Sequence, residues 1–342
     1  MNNKRETLAL LLLLLSIFLL TGCKKSDKQN GAITQSNMEQ SPYSTGLFTI
    51  RYLPVWTHQA EFAGVYMAQK KGFYNDKGLN VLIQTGGPHY PPYDNLQDGH
   101  SDIVQMSLLT AIKRDSEKDN LVNLAQLMQR TYLMLVGKKS RGINSIADFN
   151  GKRIGLWKTD DRLLSLIFLQ QHKLNMDIVD LDTSINLFLK DGIDIMNVMR
   201  YNEYHQLQQA GIDIEDLFTV SFADIGLNVA DNGLYTTREF YEKHSKHCRD
   251  FVDATIEGWL YAINNQEETI STVLEIMHKH HLPANRPHQK WMLNELSQDF
   301  MVDSSQIGVL QKSQFEEAKR LLTEQNMPIT SQTYNSFYPY AK

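Results

Sequence analysis

The 342-residue sequence is poor in cysteine and contains only Cys23 and Cys248. Two thiols are too few to build a thiolate zinc site. If Cys23 is chemically modified, Cys248 has no partner left for an internal disulfide. We therefore expect neither a structural zinc nor a disulfide in the mature chain.

An excess of positive charge is also missing, because 34 Lys and Arg stand against 39 Asp and Glu, a net charge of −5. Without a basic footprint, nucleic acid is excluded as a partner. The sequence has no Gly-x-Ser-x-Gly elbow and no Walker-type glycine loop, so nothing supports nucleophilic catalysis or nucleotide chemistry. We predict a protein that is not an enzyme and has no cofactor.

The amino terminus has the pattern of a secretory signal. Lys4 and Arg5 precede an apolar run over residues 8–20, which is too short to span a bilayer comfortably as a permanent helix. The run ends in Leu-Thr-Gly-Cys at residues 20–23, which matches the bacterial lipoprotein processing motif. We predict a signal peptide over 1–22, lipidation at Cys23 and a polar tether over 23–46, hence an extracytoplasmic, membrane-anchored protein. The alternative is an ordinary signal peptide or an uncleaved anchor.

Residues 47–87 predict a βαβ unit. Residues 48–54 form an apolar strand, residues 60–71 carry apolar positions at helical spacing, and residues 80–84 form a second strand before a glycine pair. Such a unit implies parallel strands with helices packed over the sheet. Ligands of open parallel sheets bind at the carboxyl ends of the strands. The residues placed there are Trp56, His58, Gly86 and Gly87.

This order of strands, helix and loops resembles the amino-terminal part of the periplasmic substrate-binding proteins of ABC importers, in the thiamine-precursor, sulfonate and nitrate superfamily. The resemblance rests on the aromatic loop at 56–58, Gly-Phe-Tyr at 72–74, Gly-Leu at 78–79 and the glycine pair. A second matching run, over residues 142–155, starts the second lobe in that superfamily. An enzymatic relative, the eukaryotic pyrimidine-precursor synthase, carries a cysteine-rich motif that this chain lacks.

The resemblance implies an α/β fold of the periplasmic binding protein type II, with two lobes and a ligand cleft between them. Each lobe would hold a mostly parallel sheet flanked by helices. The length of the chain allows two domains. We place lobe I at 47–136 and 236–338, and lobe II at 137–235.

Flat aromatic side chains and carboxylates dominate the predicted cleft. The candidate ligand-binding residues are Trp56, His58, Gly86, Gly87, Ser107, Trp157, Asp160, Tyr201, Asn202, Glu203 and Tyr235; Ser107 is included because it matches a ligand-facing position of the superfamily. Asp160 and Asp161, at a predicted helix start, would repel an anion there. A flat ring with an amino group could stack on the aromatics and donate to a carboxylate. Residues 56–58 and 201–203 also resemble the branch of the superfamily that is linked to thiamine pyrimidine precursors, and we therefore predict an aminopyrimidine of that kind as the ligand.

Several of these residues also have purely structural interpretations. Trp157 could pack between the lobes, Ser107 and Asp160 could cap helices, and Glu203 could be a solvated carboxylate in a first helical turn. His244 with His247, and the histidines near residue 280, suggest a polar surface and a helix end rather than a metal site.

The function that follows is a lipid-anchored, monomeric solute receptor of an ABC importer. Its lobes would close on the ligand by a hinge, and the closed form would dock on a permease. A sensory or scaffold lipoprotein that uses the same closure is a competing interpretation. The sequence is also compatible with a binder of sulfonate, nitrate or a riboflavin-like heterocycle, and with a periplasmic enzyme on the same scaffold.

Overall fold

The structure, a computed structural model, describes residues 46–302 and 306–340. The predictions for the signal peptide, for Cys23 and for the tether up to residue 45 lie outside these residues. None of the helices within the described ranges is long and apolar enough to cross a membrane.

The first of two sheets has the spatial strand order β2-β1-β3-β10-β4. Its strands are β1 (Phe48–Leu53), β2 (Leu79–Ile83), β3 (Ile103–Met106), β4 (Leu121–Met128) and β10 (Asp231–Thr237). β1 pairs in parallel with β2 and β3, whereas β10 runs antiparallel to both β3 and β4. All residues of β3 and β4 are buried, as in a sheet that is covered on both faces.

The second sheet repeats this plan in the order β7-β6-β8-β5-β9. Its strands are β5 (Leu133–Lys138), β6 (Arg153–Trp157), β7 (Asp177–Leu181), β8 (Ile195–Met199) and β9 (Leu217–Ser221). β6 pairs in parallel with β7 and β8, and β5 runs antiparallel to β8 and β9. In each sheet four of the five strands therefore point the same way, which confirms the predicted mostly parallel architecture.

Helices flank both sheets. With the first sheet, forming lobe I, are α1 (Ala63–Lys70), α2 (Phe73–Asp76), α3 (Pro92–Gln97), α4 (Leu108–Asp115), α8 (Arg238–Asn264), α9 (Gln266–Lys279), α10 (Arg286–Val302), α11 (Lys312–Glu324) and α12 (Tyr334–Phe337). With the second sheet, forming lobe II, are α5 (Leu163–Gln171), α6 (Asn186–Leu189) and α7 (Glu203–Gln209). The predicted βαβ unit is confirmed, with a 3-10 turn at Ala60–Phe62 ahead of α1.

The chain passes between the sheets earlier than the sequence suggests. β4 ends in the first sheet at Met128 and β5 begins in the second at Leu133, so the first crossing lies at 129–132. The return crossing lies at 222–230, between β9 and β10. The lobe boundaries therefore lie in these two segments and not after residues 136 and 235, where the sequence analysis places them. The strands on the two sides of the first crossing, β4 and β5, are both mostly apolar, so their sequences do not reveal which sheet they join.

Two glycines set the closest helix contact of lobe I. A Cβ on Gly258 of α8 would lie 2.1 Å from the carbonyl oxygen of Gly64 in α1. A Cβ on Gly64 would in turn meet the Trp259 ring at 2.2 Å. The backbones of α1 and α8 can approach this closely only because both positions lack a side chain.

Candidate functional site

A pocket between the two lobes collects the ends of several strands. The free space between its walls is about 370 Å³, including open solvent. Lobe I contributes Val55, Trp56, Gln59, Glu61, Asp231 and Asn232, and lobe II contributes Trp157, Asp161, Met199, Tyr201, Asn202 and Glu203. We call this the interlobe pocket.

The topology explains why these segments meet. The lining residues 55–61, 157–161 and 199–203 follow the carboxyl ends of the parallel strands β1, β6 and β8, where open sheets bind ligands. Asp231 and Asn232 instead begin β10. Because β10 is antiparallel to β3, its amino end lies at the edge of the sheet where the parallel strands finish.

Four carboxyl groups face the interlobe pocket. Burial raises the pKa of Glu61 and of Glu203 to about 7, against the opposing effect of the hydrogen bonds that each accepts. Burial, with repulsion from Asp161 and Glu61, raises the pKa of Asp231 to about 7. The pKa of Asp161 rises to about 6 by burial and by the neighbouring Asp160. Near neutral pH the empty pocket therefore holds a mixture of protonated and ionised carboxyl groups.

Amide side chains hold two of these carboxyl groups in place. Asn232 Nδ2 donates to Glu61 Oε1 at 2.9 Å, and Gln59 Nε2 donates to Glu61 Oε2 at 2.6 Å. Asn202 Nδ2 donates to Glu203 Oε1 at 2.9 Å. Both carboxyl side chains are thereby fixed in position before any ligand arrives.

Three aromatic residues form another part of the pocket wall, which Val55 and Met199 complete. The rings of Trp56, from lobe I, and Trp157, from lobe II, have centroids 6.1 Å apart at an interplanar angle of 54°. No flat ligand can lie between two rings that are this close and this tilted, so a bound ring would stack against one indole or separate the pair. Tyr201 is buried and packs edge-on against Tyr132, with centroids 5.4 Å apart.

The lining has one sign of charge. Of the twelve described residues around the interlobe pocket, four carry a carboxyl group and none is Lys, Arg or His. Such a lining accepts hydrogen bonds from amino groups and attracts cations, whereas an anion would be repelled by the ionised carboxyl groups and would find no cationic side chain to pair with. Among the described residues there is no group of three or more His, Cys, Asp or Glu placed to hold a metal ion.

Five of the predicted ligand-binding residues lie together in the interlobe pocket: Trp56, Trp157, Tyr201, Asn202 and Glu203. Ser107 and Asp160 border a neighbouring cavity that shares Asp161 and Asp231 with it. Ser107 also caps α4, since its hydroxyl oxygen accepts from Thr110 N at 3.2 Å. Whether these residues contact a ligand stays a prediction.

The other predicted residues lie elsewhere. His58 is buried, with Nδ1 2.8 Å from Tyr66 Oη, and borders a second interlobe cleft. Gly87 borders a cavity next to Asp160 and Asp161. Gly86 lies so close to Pro54 that a Cβ would be 2.2 Å from the Pro54 carbonyl oxygen.

Tyr235 lines none of these cavities. Its side chain is fully buried in lobe I, with its ring 6.0 Å from that of Phe337. The sequence placed Tyr235 at the return crossing, but the crossing ends before β10 starts at Asp231. Tyr235 is the fifth residue of that strand, and its ring is part of the core.

Sequence reasoning missed Gln59, Glu61, Asp231 and Asn232. Glu61 lies in the turn before α1, inside a segment that reads as helix. Asp231 and Asn232 open a strand whose antiparallel direction has no signature in the sequence. Asp231 and Asn232 could be found by considering the first residues, as well as the last, of each strand next to a lobe crossing.

Two five-stranded α/β lobes with a pocket between them define the fold class, which is the two-lobed fold of periplasmic binding proteins. Solved structures share this fold. The alkanesulfonate-binding protein SsuA of Xanthomonas axonopodis pv. citri has a TM-score of 0.62 at 12% identity, over 82% of this chain and 96% of that one. The ligand-binding component of an ABC-type import system from Staphylococcus aureus has a TM-score of 0.61 at 13% identity, over 85% and 96%.

Sequence comparison gives the family. The family described as NMT1/THI5 like matches residues 59–269, more than half of the chain, and the chain belongs to it. The protein YtlA of Bacillus subtilis strain 168 is 32% identical over 85 residues, which are 24% of this chain. The matched stretch spans about a quarter of the length of YtlA.

Proposed function

We propose that this protein is the solute-binding receptor of an ABC importer and that it binds an aminopyrimidine, of the kind that serves as a thiamine precursor, in the interlobe pocket. The observation that carries the proposal is the lining itself, with four carboxyl groups, three aromatic rings and no basic side chain among its twelve described residues.

Carboxyl groups select for hydrogen-bond donors. A ring N–H or an exocyclic amine that donates to an ionised carboxyl forms a charge-assisted bond. A protonated ring would also favour the ionised forms of Glu203 and Asp231, whose pKa values are raised to about 7 in the empty pocket. Ligand binding at neutral pH is then accompanied by proton release from the pocket.

Aromatic side chains supply the second part of the recognition. A pyrimidine that stacks on an indole gains about 0.5–1.5 kcal/mol beyond the area that it buries. Trp56 and Trp157 belong to different lobes, so a ring that engages both favours the closed arrangement. Closure by a hinge, docking of the closed form on a permease, the lipid anchor at Cys23 and the monomeric state belong to the same proposal.

The fold neighbours include a protein named for alkanesulfonate binding, and a sulfonate is an anion. The lining of this pocket favours a different ligand class, because a sulfonate would be placed among carboxyl groups without any lysine or arginine. We therefore expect sulfonates and nitrate to bind elsewhere or not at all.

Thermal and urea unfolding of the full chain in a mild detergent test the ligand class. We expect 4-amino-5-hydroxymethyl-2-methylpyrimidine to raise the free energy of unfolding by about 2.7 kcal/mol at a hundredfold excess over its Kd. Taurine and nitrate should leave it unchanged. A shift with taurine or nitrate alone would refute the aminopyrimidine proposal.

Two variants locate the binding. Asp231→Asn removes one pocket charge and Trp56→Ala removes one stacking face, and each should weaken pyrimidine binding about tenfold or more, measured by calorimetry. Asp224→Asn, at an exposed position, is the matched control and should bind like the wild type. Binding that survives both pocket variants unchanged would place the ligand outside the interlobe pocket.

A further inference from the structure

A pair of histidines joins the lobes beside the interlobe pocket. His288 belongs to α10 of lobe I and is 6% exposed, whereas His205 belongs to α7 of lobe II. Their Nδ1 atoms are 2.9 Å apart and their rings are nearly parallel, at 7°. His205 also stacks on Trp291 of α10, with centroids 4.6 Å apart at 4°.

The pair is connected to the pocket through Asn202. His288 Nε2 lies 3.0 Å from Asn202 Oδ1, and the same oxygen accepts from Gln206 Nε2 at 2.8 Å. On its other side Asn202 Nδ2 donates to Glu203 Oε1 at 2.9 Å. A continuous chain of hydrogen bonds therefore runs from one lobe to a pocket carboxyl group of the other.

The chemistry of the groups fixes the direction of this chain. An ionised Glu203 can only accept, so the Asn202 amide must turn its NH₂ group toward it and its oxygen toward His288. His288 Nε2 must then carry a hydrogen. Burial lowers the pKa of His288 to about 4 and also lowers the pKa of His205, so both rings are neutral at pH 8.

A neutral imidazole carries one ring hydrogen only. With its hydrogen on Nε2, His288 has a bare Nδ1 that must accept. His205 Nδ1 lies 2.9 Å from this nitrogen and must therefore donate its hydrogen to it. His205 is thus held in the Nδ1–H tautomer and His288 in the Nε2–H tautomer.

We propose that His288 is a positioning residue for the interlobe pocket: as the Nε2–H tautomer, with His205 donating to its Nδ1, it holds the Asn202 amide and through it the Glu203 carboxyl group in place for the ligand. The inference rests on the proposed function only in taking this pocket as the ligand site. Because His288 comes from lobe I and Asn202 from lobe II, the pocket is fully ordered only while α10 and α7 are in contact.

Ring ¹⁵N spectra of the histidines in the ligand-free full chain test the direction of the chain at pH 8. We expect an Nε2–H signature for His288 and an Nδ1–H signature for His205, with assignments from the variants His288→Gln and His205→Phe. In His205→Phe, which keeps an aromatic ring against Trp291 but has no donor, His288 should keep the Nε2–H signature, because Asn202 and the ionised Glu203 fix it. The reverse pair of tautomers in the wild type would overturn the proposal.

Affinity for the hydroxymethyl aminopyrimidine tests the positioning role. His288→Phe removes the donor to Asn202 and should weaken binding about tenfold. His288→Gln offers an amide N–H in its place and should restore affinity to within about twofold of the wild type. His278→Phe, at an exposed position of α9, is the matched control. Equal losses in His288→Phe and His288→Gln would contradict a positioning role.

The two measurements separate this inference from the proposed function. If the wild type binds no aminopyrimidine, the ligand proposal fails, and the tautomers, which are read without ligand, still decide the hydrogen-bond chain. If the wild type binds and the tautomers are reversed, the ligand proposal stands and the positioning role is refuted.

Discussion

At the scale of single residues, the burial of Asp231 makes the stability of the protein depend on pH. Its pKa is raised to about 7 by burial and by Asp161 and Glu61, so the folded protein holds this proton far above the pH at which the unfolded chain releases it. The stability that this group contributes is present below about pH 4 and is lost as the pH rises through about 7.

Asp231→Asn should remove this pH dependence. One unit of pKa difference corresponds to about 1.4 kcal/mol, so between pH 5 and pH 8 the wild type loses at most about 3 kcal/mol through this carboxyl group. We expect the difference in free energy of unfolding, variant minus wild type, to grow by about 1–3 kcal/mol over that range, measured by urea unfolding of the ligand-free protein.

The exposed Asp224→Asn variant again serves as the control and should show a constant difference from the wild type. A constant difference for Asp231→Asn as well would mean that Asp231 titrates normally. The substitution that removes this pH dependence is also expected to weaken ligand binding.

At the scale of elements, the crossing of α1 and α8 depends on glycine. A Cβ at Gly258 would lie 2.1 Å from Gly64 O and 2.7 Å from Ala68 N, which are backbone atoms that cannot rotate away. Alanine favours a helix over glycine by about 1 kcal/mol, but forcing the two helices apart costs more. We expect Gly258→Ala to lower the free energy of unfolding by about 1–3 kcal/mol.

Urea unfolding of Gly258→Ala beside Glu257→Ala checks this prediction. Glu257 is the preceding residue of α8 and is exposed, so its replacement should change stability by no more than about 0.5 kcal/mol. A Gly258→Ala protein as stable as the wild type would mean that α1 and α8 can separate without loss. Because α1 follows the pocket loop at residues 55–61, we expect a shift of α1 in Gly258→Ala to lower the affinity for the ligand as well.

At the scale of the whole molecule, two crossing segments and a few side-chain contacts connect the lobes. Asn228 Oδ1 accepts from Thr131 N at 3.1 Å and so ties one crossing to the other. On the α10 side, Arg200 of lobe II pairs with Glu295 of lobe I at 2.8 Å. Together with the contacts between α10 and α7, these interactions hold the two lobes in the arrangement of this structure.

If ligand binding closes the lobes, small-angle scattering should report a smaller radius of gyration when the aminopyrimidine is added. Contacts from both lobes make the closed form the one that the ligand prefers. Asp231→Asn, at the same ligand concentration, should show a smaller change, and nitrate should show none. A radius that is the same with and without saturating pyrimidine would exclude hinge closure as the response to this ligand.

Local sequence determined much of this protein. Alternating strands and helices with glycine turns predicted the βαβ opening. Together with the resemblance to the periplasmic binding proteins, which implied the two α/β lobes, they also predicted five residues of the interlobe pocket, because strand ends in parallel sheets meet at one edge. Trp56 and Glu203 could be found in this way, since each follows a strand whose direction the pattern indicates.

Only the tertiary structure decided where the chain changes lobes, which way β5 and β10 run and which side chains complete the pocket. Apolar strands such as β4 and β5 look alike in sequence, since either sheet would bury them equally well. The direction of β10, which brings Asp231 into the pocket and leaves Tyr235 in the core, comes from pairing with β3 and β4. The contact of His288 with Asn202 joins residues 86 positions apart, and such a pairing depends on packing, which no local pattern records.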